Sequence, residues 1–365
     1  MRRRNLALAP LAPALLALAA GCQGHGAYTQ EHADSSMARM EQLRSVNEFQ
    51  MAESAFLAGD LEKALTKINA CIAANPDVAR SHVLKGRILI EMNVMAEAVA
   101  SLDRAEQLDA DNVDAQYYQG VISERVRRLD DALARYTRAA ELAPANPQFA
   151  MAAAETLIDL GQPARAEAFL MERDETFRLD AGIQQLLGHM AMMQQDYPRA
   201  AERFAQARIL APDDQSTTED LIHALMQLEN HTEADFYLSS LLRKAENQSR
   251  RDLMHLRVQC LTALDRPVDA RDVLLRLVAG EGATDIQAWI ALGHTALELK
   301  DLGRVREAAN RVVAMAPYRP DGFVLRAMWQ RRMGDYIGAL TSLDDALENA
   351  PEDTSIRVMQ ALVLV

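Results

Sequence analysis

The sequence predicts an all-α solenoid of about nine antiparallel helix pairs followed by a closing helix. Three features of the 365-residue chain support this prediction. A common skeleton returns about every 34 residues, small residues recur at two fixed places within it, and proline recurs near its end. Such a core grows by stacking short repeats, so a chain of this length need not divide into ordinary globular domains.

The repeat at residues 113–146 shows the skeleton most clearly. Gly120 is its eighth residue, Ala132 its twentieth, Tyr136 its twenty-fourth and Pro144 its thirty-second. Glycine in a helix interior is less favourable than alanine by about 1 kcal/mol. Its recurrence at the same position of several repeats therefore predicts close packing between the first helix (A) and the second helix (B). The large twenty-fourth residue should fill the space that the small residues leave, and proline should end helix B.

The skeleton sets the boundaries of nine repeats. They are residues 45–78, 79–112, 113–146, 147–180, 181–214, 215–250, 251–285, 286–319 and 320–353. The fourth repeat has Arg173 where a small residue is usual, and the sixth and seventh carry Ile222 and Val258 at the glycine place. We therefore expect these three repeats to be the least regular.

The 34-residue skeleton resembles the tetratricopeptide repeat (TPR) family. Trp289-Ile-Ala-Leu292-Gly293 matches the opening of the family's W-x-x-L-G pattern, and Ala132-x-x-x-Tyr136 matches its second half. The resemblance implies a right-handed TPR superhelical solenoid and a non-enzymatic scaffold that binds a peptide or protein in a concave groove lined by helix A. It also suggests roles in assembling an envelope, secretion or pilus complex. The partner remains unnamed.

The amino terminus predicts export. Three arginines at residues 2–4 precede an apolar run over residues 6–20, which is typical of a signal peptide. The closing residues resemble the lipobox of bacterial lipoproteins, with Leu18 one place early, and the resemblance implies cleavage after residue 21 and acylation of Cys22. The alternative is an ordinary secretory signal in which Cys22 is incidental.

The residues around the cleavage site bear on location. By resemblance to the enterobacterial sorting rule, Gln23 favours the periplasmic face of the outer membrane over the inner membrane. Loss of residues 1–21 removes three arginines and changes the formal charge from −13 to −16. A chain this acidic repels phosphate backbones and anionic lipids. We therefore expect no nucleic-acid partner, and we expect the protein to attach to the membrane through its lipid alone.

The two ends of the repeat array have separate predictions. Residues 22–44 are expected to be a tether that runs into the first helix, flexible over 23–34, with Ser35 or Ser36 as a helix cap. Residues 354–365 align with the first helix of a tenth repeat and carry no charge after Arg357. This terminal helix is either an ordinary cap or a surface for self-association, which is the alternative function.

The sequence offers no signature of catalysis or of a cofactor. It contains no P-loop, nucleophile elbow, H-E-x-x-H or C-x-x-C motif, and its paired acids fit helix starts and solvated faces. Cys71 and Cys260 are predicted to be separate buried thiols that act as small apolar residues.

The predicted partner-binding face comprises the positions of helix A that share one side by their spacing of three and four. The side chains proposed to contact a partner are Tyr117, Glu124, Arg125, Met151, Glu155, His189, Met192, Met193, His223, Met226, His255, His294 and Arg331.

The histidines and methionines of this face admit more than one interpretation. Two histidines on neighbouring helices can approach one metal ion, but zinc needs four ligands and no third is evident, so we predict no metal site. The other interpretations are a polar groove and a groove whose affinity changes with pH. The methionines favour either flexible packing or adaptable peptide binding.

Overall fold

The computed structural model describes residues 27–364, and all regular secondary structure in that range is helical. The predicted signal peptide and Cys22 lie outside the described residues. Within residues 27–364, no helix combines the length and the apolar character needed to cross a bilayer. The chain divides between Arg173 and Asp174 into two compact blocks, called here the N-terminal and C-terminal blocks.

The N-terminal block contains four helix pairs, one in each of the first four predicted repeats. They are α1 (Ala27–Leu57) and α2 (Leu61–Ala74), α3 (Ala79–Glu91) and α4 (Met95–Leu108), α5 (Val113–Arg125) and α6 (Leu129–Leu142), and α7 (Pro147–Asp159) and α8 (Pro163–Met171).

The C-terminal block opens with the short helix α9 (Asp174–Phe177) and then contains five pairs and the terminal helix. They are α10 (Ala181–Met193) and α11 (Tyr197–Leu210), α12 (Gln215–Gln227) and α13 (His231–Arg243), α14 (Arg251–Ala263) and α15 (Pro267–Leu277), α16 (Ile286–Glu298) and α17 (Leu302–Met315), α18 (Pro320–Arg332) and α19 (Tyr336–Asn349), and α20 (Thr354–Leu364). Two 3-10 turns, Ala245–Asn247 and Gly280–Thr284, follow α13 and α15.

The predicted boundaries coincide with helix starts. From the second repeat onward, each predicted boundary is the first residue of a helix A, and residue 354 is the first of α20. The first helix differs from expectation, because α1 begins at Ala27 and includes residues predicted to be a flexible tether. The Ser35 and Ser36 hydroxyls both donate to the His32 carbonyl within α1, so neither serine caps the helix start.

The glycines of the eighth position make the close contacts that their recurrence predicts. A Cβ atom on Gly120 would lie 2.6 Å from Tyr136 Cε1, and one on Gly188 would lie 2.5 Å from Phe204 Cε1. Both aromatic rings are fully buried and occupy the twenty-fourth position of the same repeat. At Gly293 the space is filled instead by Leu325, from the next repeat.

The ends of the helices distinguish regular repeats from irregular ones. In five repeats a proline stands two residues after the last residue of helix B, at Pro76, Pro144, Pro212, Pro317 and Pro351. The regular repeats have a helix B of 14 residues, whereas α8, α13 and α15 have 9, 13 and 11. The three repeats expected to be irregular are therefore those whose second helix is shortened.

The turn between helix A and helix B uses one left-handed residue in every repeat. These residues have φ between 53° and 81° and occupy the fifteenth position: Gly59, Asn93, Arg127, Gly161, Gln195, Glu229, Asp265, Lys300 and Gly334. A left-handed conformation costs most residues other than glycine about 1–2 kcal/mol. The packing of the two helices therefore imposes this turn even where the residue opposes it.

We expect Gly120→Ala to lower the free energy of unfolding by about 1–2 kcal/mol, because overpacking costs more than alanine's helix propensity returns. Urea unfolding followed by circular dichroism measures the change. Gly303→Ala is the matched control, since the nearest atom to its Cβ is Asp301 Oδ1 at 3.6 Å. Equal unfolding midpoints for the two variants would contradict the proposed close contact.

Candidate partner-binding surface

Tyr117 lies at the centre of an aromatic cluster that joins the third and fourth repeats. Its ring centroid is 5.1 Å from that of Tyr118, 5.5 Å from Tyr136 and 5.2 Å from Phe149. Its hydroxyl accepts a hydrogen bond from Gln148 Nε2 at 3.0 Å. The half-buried Tyr117 ring thus packs between the third and fourth repeats.

Glu124 and Arg125 are exposed but also hold framework contacts. The Tyr136 hydroxyl donates to Glu124 Oε2 at 2.6 Å. Arg125 Nη1 donates to the Ile90 carbonyl at 3.1 Å, and its other terminal nitrogen lies 3.6 Å from Glu91 Oε1. A partner that contacts these side chains would therefore have to accommodate or exchange existing bonds.

Glu155 is the least compensated charge of the predicted face in the N-terminal block. Partial desolvation raises the pKa of its carboxyl, and the negative charges of Glu124 and Asp159 raise it further. Asp159 has a counter-ion in Arg127 at 3.5 Å, whereas Glu155 has none among the described residues. The half-buried Met151 precedes Glu155 by one helical turn, so an apolar side chain and a carboxylate that favours a cation share this face.

In the C-terminal block, two of the predicted histidines pair with an aspartate. His189 pairs with Asp220 of the following repeat, and His255 pairs with Asp285, the residue just before α16. His189 Nε2 lies 3.2 Å from Asp220 Oδ2, which also accepts from Gln185 Nε2 at 2.7 Å. His255 Nε2 lies 2.8 Å from Asp285 Oδ2. The hydrogen bond to Asp220 raises the pKa of His189. Although burial raises the pKa of Asp220, hydrogen bonds from His189 and Gln185 lower it overall.

Met193 and His223 are the more accessible members of the central group of candidates. Met193 is 59% exposed and His223 is also exposed. Met192 and Met226 are half-buried and pack against the core, and Cys260 Sγ lies 3.1 Å from Met226 Sδ. Met192 and Met226 therefore support the surface from below, while Met193 and His223 face solvent.

His294 and Arg331 are exposed on the later repeats. Partial desolvation lowers the pKa of His294, against the opposing effect of Asp321 and Glu298. Within residues 27–364, the structure gathers no group of three histidine, cysteine, aspartate or glutamate side chains suited to a metal ion. Cys71 and Cys260 are both buried and unpaired, as predicted, and burial raises the pKa of Cys260 to about 11.

Comparison with protein families supports the repeat assignment. Sequence models described as "Tetratricopeptide repeat" match residues 49–115, 92–147 and 126–190. Residues 49–190 are therefore tetratricopeptide repeats. A comparison with curated proteins found no match.

Several solved structures resemble the chain in fold. PilF of Pseudomonas aeruginosa is 15% identical, with a TM-score of 0.49 over 56% of this chain and 92% of its own. PilW, described as a widely conserved type IV pilus biogenesis factor, is 18% identical, with a TM-score of 0.46 over 56% and 96%. YrrB, described as a TPR protein with an unusual peptide-binding site, is 19% identical, with a TM-score of 0.40 over 54% and 97%.

The structure adds residues to the surface that the TPR pattern did not indicate. Asp220 and Asp285 connect adjacent repeats through the histidines, and Asp285 also caps α16 by accepting from the Ala288 amide at 2.9 Å. The position of Asp285 just before a helix start is a sequence signal for the cap. Its second role, with His255, depends on the distance between neighbouring helices and has no sequence signal.

We expect His189→Gln to change the pH dependence of stability. The pKa of His189 is higher in the folded state, so its stabilisation is present below the unfolded pKa of about 6.5 and is lost as pH rises through the folded value. The variant should therefore lose more stability near pH 5.5 than near pH 8, by about 0.2–1 kcal/mol for so exposed a pair. Urea unfolding at the two pH values measures this difference.

His294→Gln is the contrasting variant. Because the pKa of His294 is lowered on folding, its neutral form is favoured and the native state loses stability as pH falls below the unfolded value. This variant should gain stability relative to the wild type at the lower pH. The same sign of change in both variants would contradict the assigned environments.

Proposed function

We propose that the protein is a non-enzymatic scaffold of the bacterial cell envelope, tethered by a lipid on Cys22 to the periplasmic face of the outer membrane. It would bind an extended segment of a partner protein along helix A of successive repeats. The export signal, the lipobox resemblance and the TPR repeats together support this proposal. Assembly of an envelope, secretion or pilus complex is the process that best combines them.

The observation that carries the binding proposal is the charge environment of Glu155. A carboxylate that lacks a counter-ion beside two other carboxylates gains electrostatic stabilisation when a cationic side chain approaches. The half-buried Met151 and Tyr117 would supply apolar contact on the same predicted helix-A face. We therefore propose that the N-terminal block binds a segment that carries lysine or arginine beside an apolar residue.

The C-terminal block offers a different chemistry. Met193 presents a flexible thioether, and the exposed His223 presents an imidazole. Methionine adapts its shape to different partners, which suits an extended peptide more than a rigid small molecule. These two side chains are proposed as the adaptable part of the binding face.

Partner binding should weaken when the accessible helix-A side chains are removed. We expect Met193→Ala with His223→Ala to reduce partner recovery at least several-fold, because both side chains are accessible while Met192 and Met226 support the core. Cross-linking in envelope membranes followed by quantitative mass spectrometry measures recovery. The matched control is Ile209→Ala with Phe236→Ala, on helix B, where the side chains are 68% and 63% exposed. Equal recovery from both double variants would argue against the helix-A face.

Membrane attachment tests the other half of the proposal. We expect Cys22→Ser to move the protein from the membrane fraction to the soluble periplasmic fraction, because it removes the site of acylation. Fractionation followed by immunoblotting measures the distribution, and Cys71→Ser is the control because this thiol is buried. Retention of the Cys22→Ser protein in the membrane would refute the lipid tether.

A further inference from the structure

The last repeat and the terminal helix form a cleft that is lined by two arginines and several apolar side chains. Its volume is about 750 Å³, which lies within the range of roughly 300–1,000 Å³ typical of ligand sites. The lining comes from the end of α18, the start of α19 and the end of α20. It includes Arg331, Arg332, Tyr336, Ile337, Leu362 and Leu364, and this set is called here the terminal cleft.

The apolar part of the terminal cleft is highly exposed. Ile337 is 82% exposed, Leu364 72%, Tyr336 56% and Leu362 53%. Isolated apolar side chains on a surface are ordinary, but several around one concavity indicate an interaction site. Helix α20 is anchored to α19, because Ile356 of α20 is buried in a cluster that includes Leu343 and Ala346 of α19.

The two arginines supply a charge that the described protein does not neutralise. Neither Arg331 nor Arg332 forms an ion pair within residues 27–364, although the whole chain has 52 acidic residues against 39 basic ones. At the other end of α18, by contrast, Arg319 donates to Asp321 at 2.9 Å. The last turn of α18 favours positive charge through the helix dipole but provides no carboxylate to bind.

We propose that the terminal cleft binds an acidic, apolar peptide segment of a partner protein. Carboxylates of that segment would pair with the guanidinium groups of Arg331 and Arg332, whose planar donors suit two-point binding. Its apolar side chains would pack against Ile337 and Leu362. This site is separate from the helix-A residues discussed above, with the exception of Arg331, and it does not require the lipid tether.

The same charges disfavour the two other occupants. A two-fold contact between copies centred on the cleft would oppose Arg331 and Arg332 to their own symmetry mates, and such like-charge contacts are unfavourable. An anionic membrane would attract the arginines, but the chain as a whole has a formal charge of −13, which repels such a surface. A recessed cleft also suits an inserted side chain better than a lipid surface.

The test uses the full-length protein in detergent and two labelled twelve-residue probes made of leucine and glutamate or of leucine and glutamine. Fluorescence anisotropy should show roughly ten-fold tighter binding of the glutamate probe, as expected for two exposed charge pairs. Arg331→Gln with Arg332→Gln should reduce the preference to less than about two-fold. High salt should also reduce the preference for the glutamate probe, because the Debye length falls from about 10 Å at 0.1 M to about 3 Å at 1 M ionic strength.

Two further variants separate loss of the site from loss of folding. Ile337→Ser should weaken both probes without lowering the melting temperature, since this side chain is mostly exposed. Arg127→Gln with Arg128→Gln removes the same charge from the third repeat and should leave probe binding unchanged. Equal affinity for the two probes would overturn the proposal. The proposal would also be overturned if light scattering showed a dimer that the Arg331→Gln, Arg332→Gln variant does not form. Binding of the wild type to anionic vesicles that is lost in the same variant would overturn it too.

Discussion

The fold depends on the close approach of helix A to helix B at one point in each repeat. In the clearest cases a glycine of helix A faces a large residue of helix B, as Gly120 faces Tyr136 and Gly188 faces Phe204. This contact fixes the distance between the two helices. The short loop after helix B, which contains a proline in five repeats, then leads into the next helix A at the same position of the repeat. The recurrence of 34 residues is therefore a consequence of packing geometry, since each pair must cover the apolar face of its neighbour.

The same contact explains why the helix-A to helix-B turns tolerate unsuitable residues. Lys300 and Glu229 adopt left-handed backbone angles although neither is favoured there. A local conformation of this kind persists where the surrounding structure determines the path of the chain. The two packed helices supply that constraint, so the turn follows from the pair and does not define it.

Packing that repeats along the chain could be predicted from the sequence, while contacts between non-equivalent residues could not. The repeat boundaries, the glycine contacts and the shortened second helices all follow from positions that recur at one phase. The pairs His189–Asp220 and Arg125–Glu91 join residues of different repeats through particular side-chain conformations, which periodicity does not encode. Tyr117 shows this limit, because its position in the helix assigned it to the predicted binding face but did not indicate its aromatic neighbours.

The distribution of unneutralised charge separates the two proposed binding surfaces. Among the described residues, Glu155 has no counter-ion in the N-terminal block, and Arg331 and Arg332 have none in the C-terminal block. A segment that satisfies one surface therefore carries the wrong charge for the other. If both surfaces act on one partner, that partner must present a basic segment and an acidic segment in separate parts of its chain. On this proposal, a scaffold built from similar packing units would order its partners through side chains that the packing leaves without an ion pair.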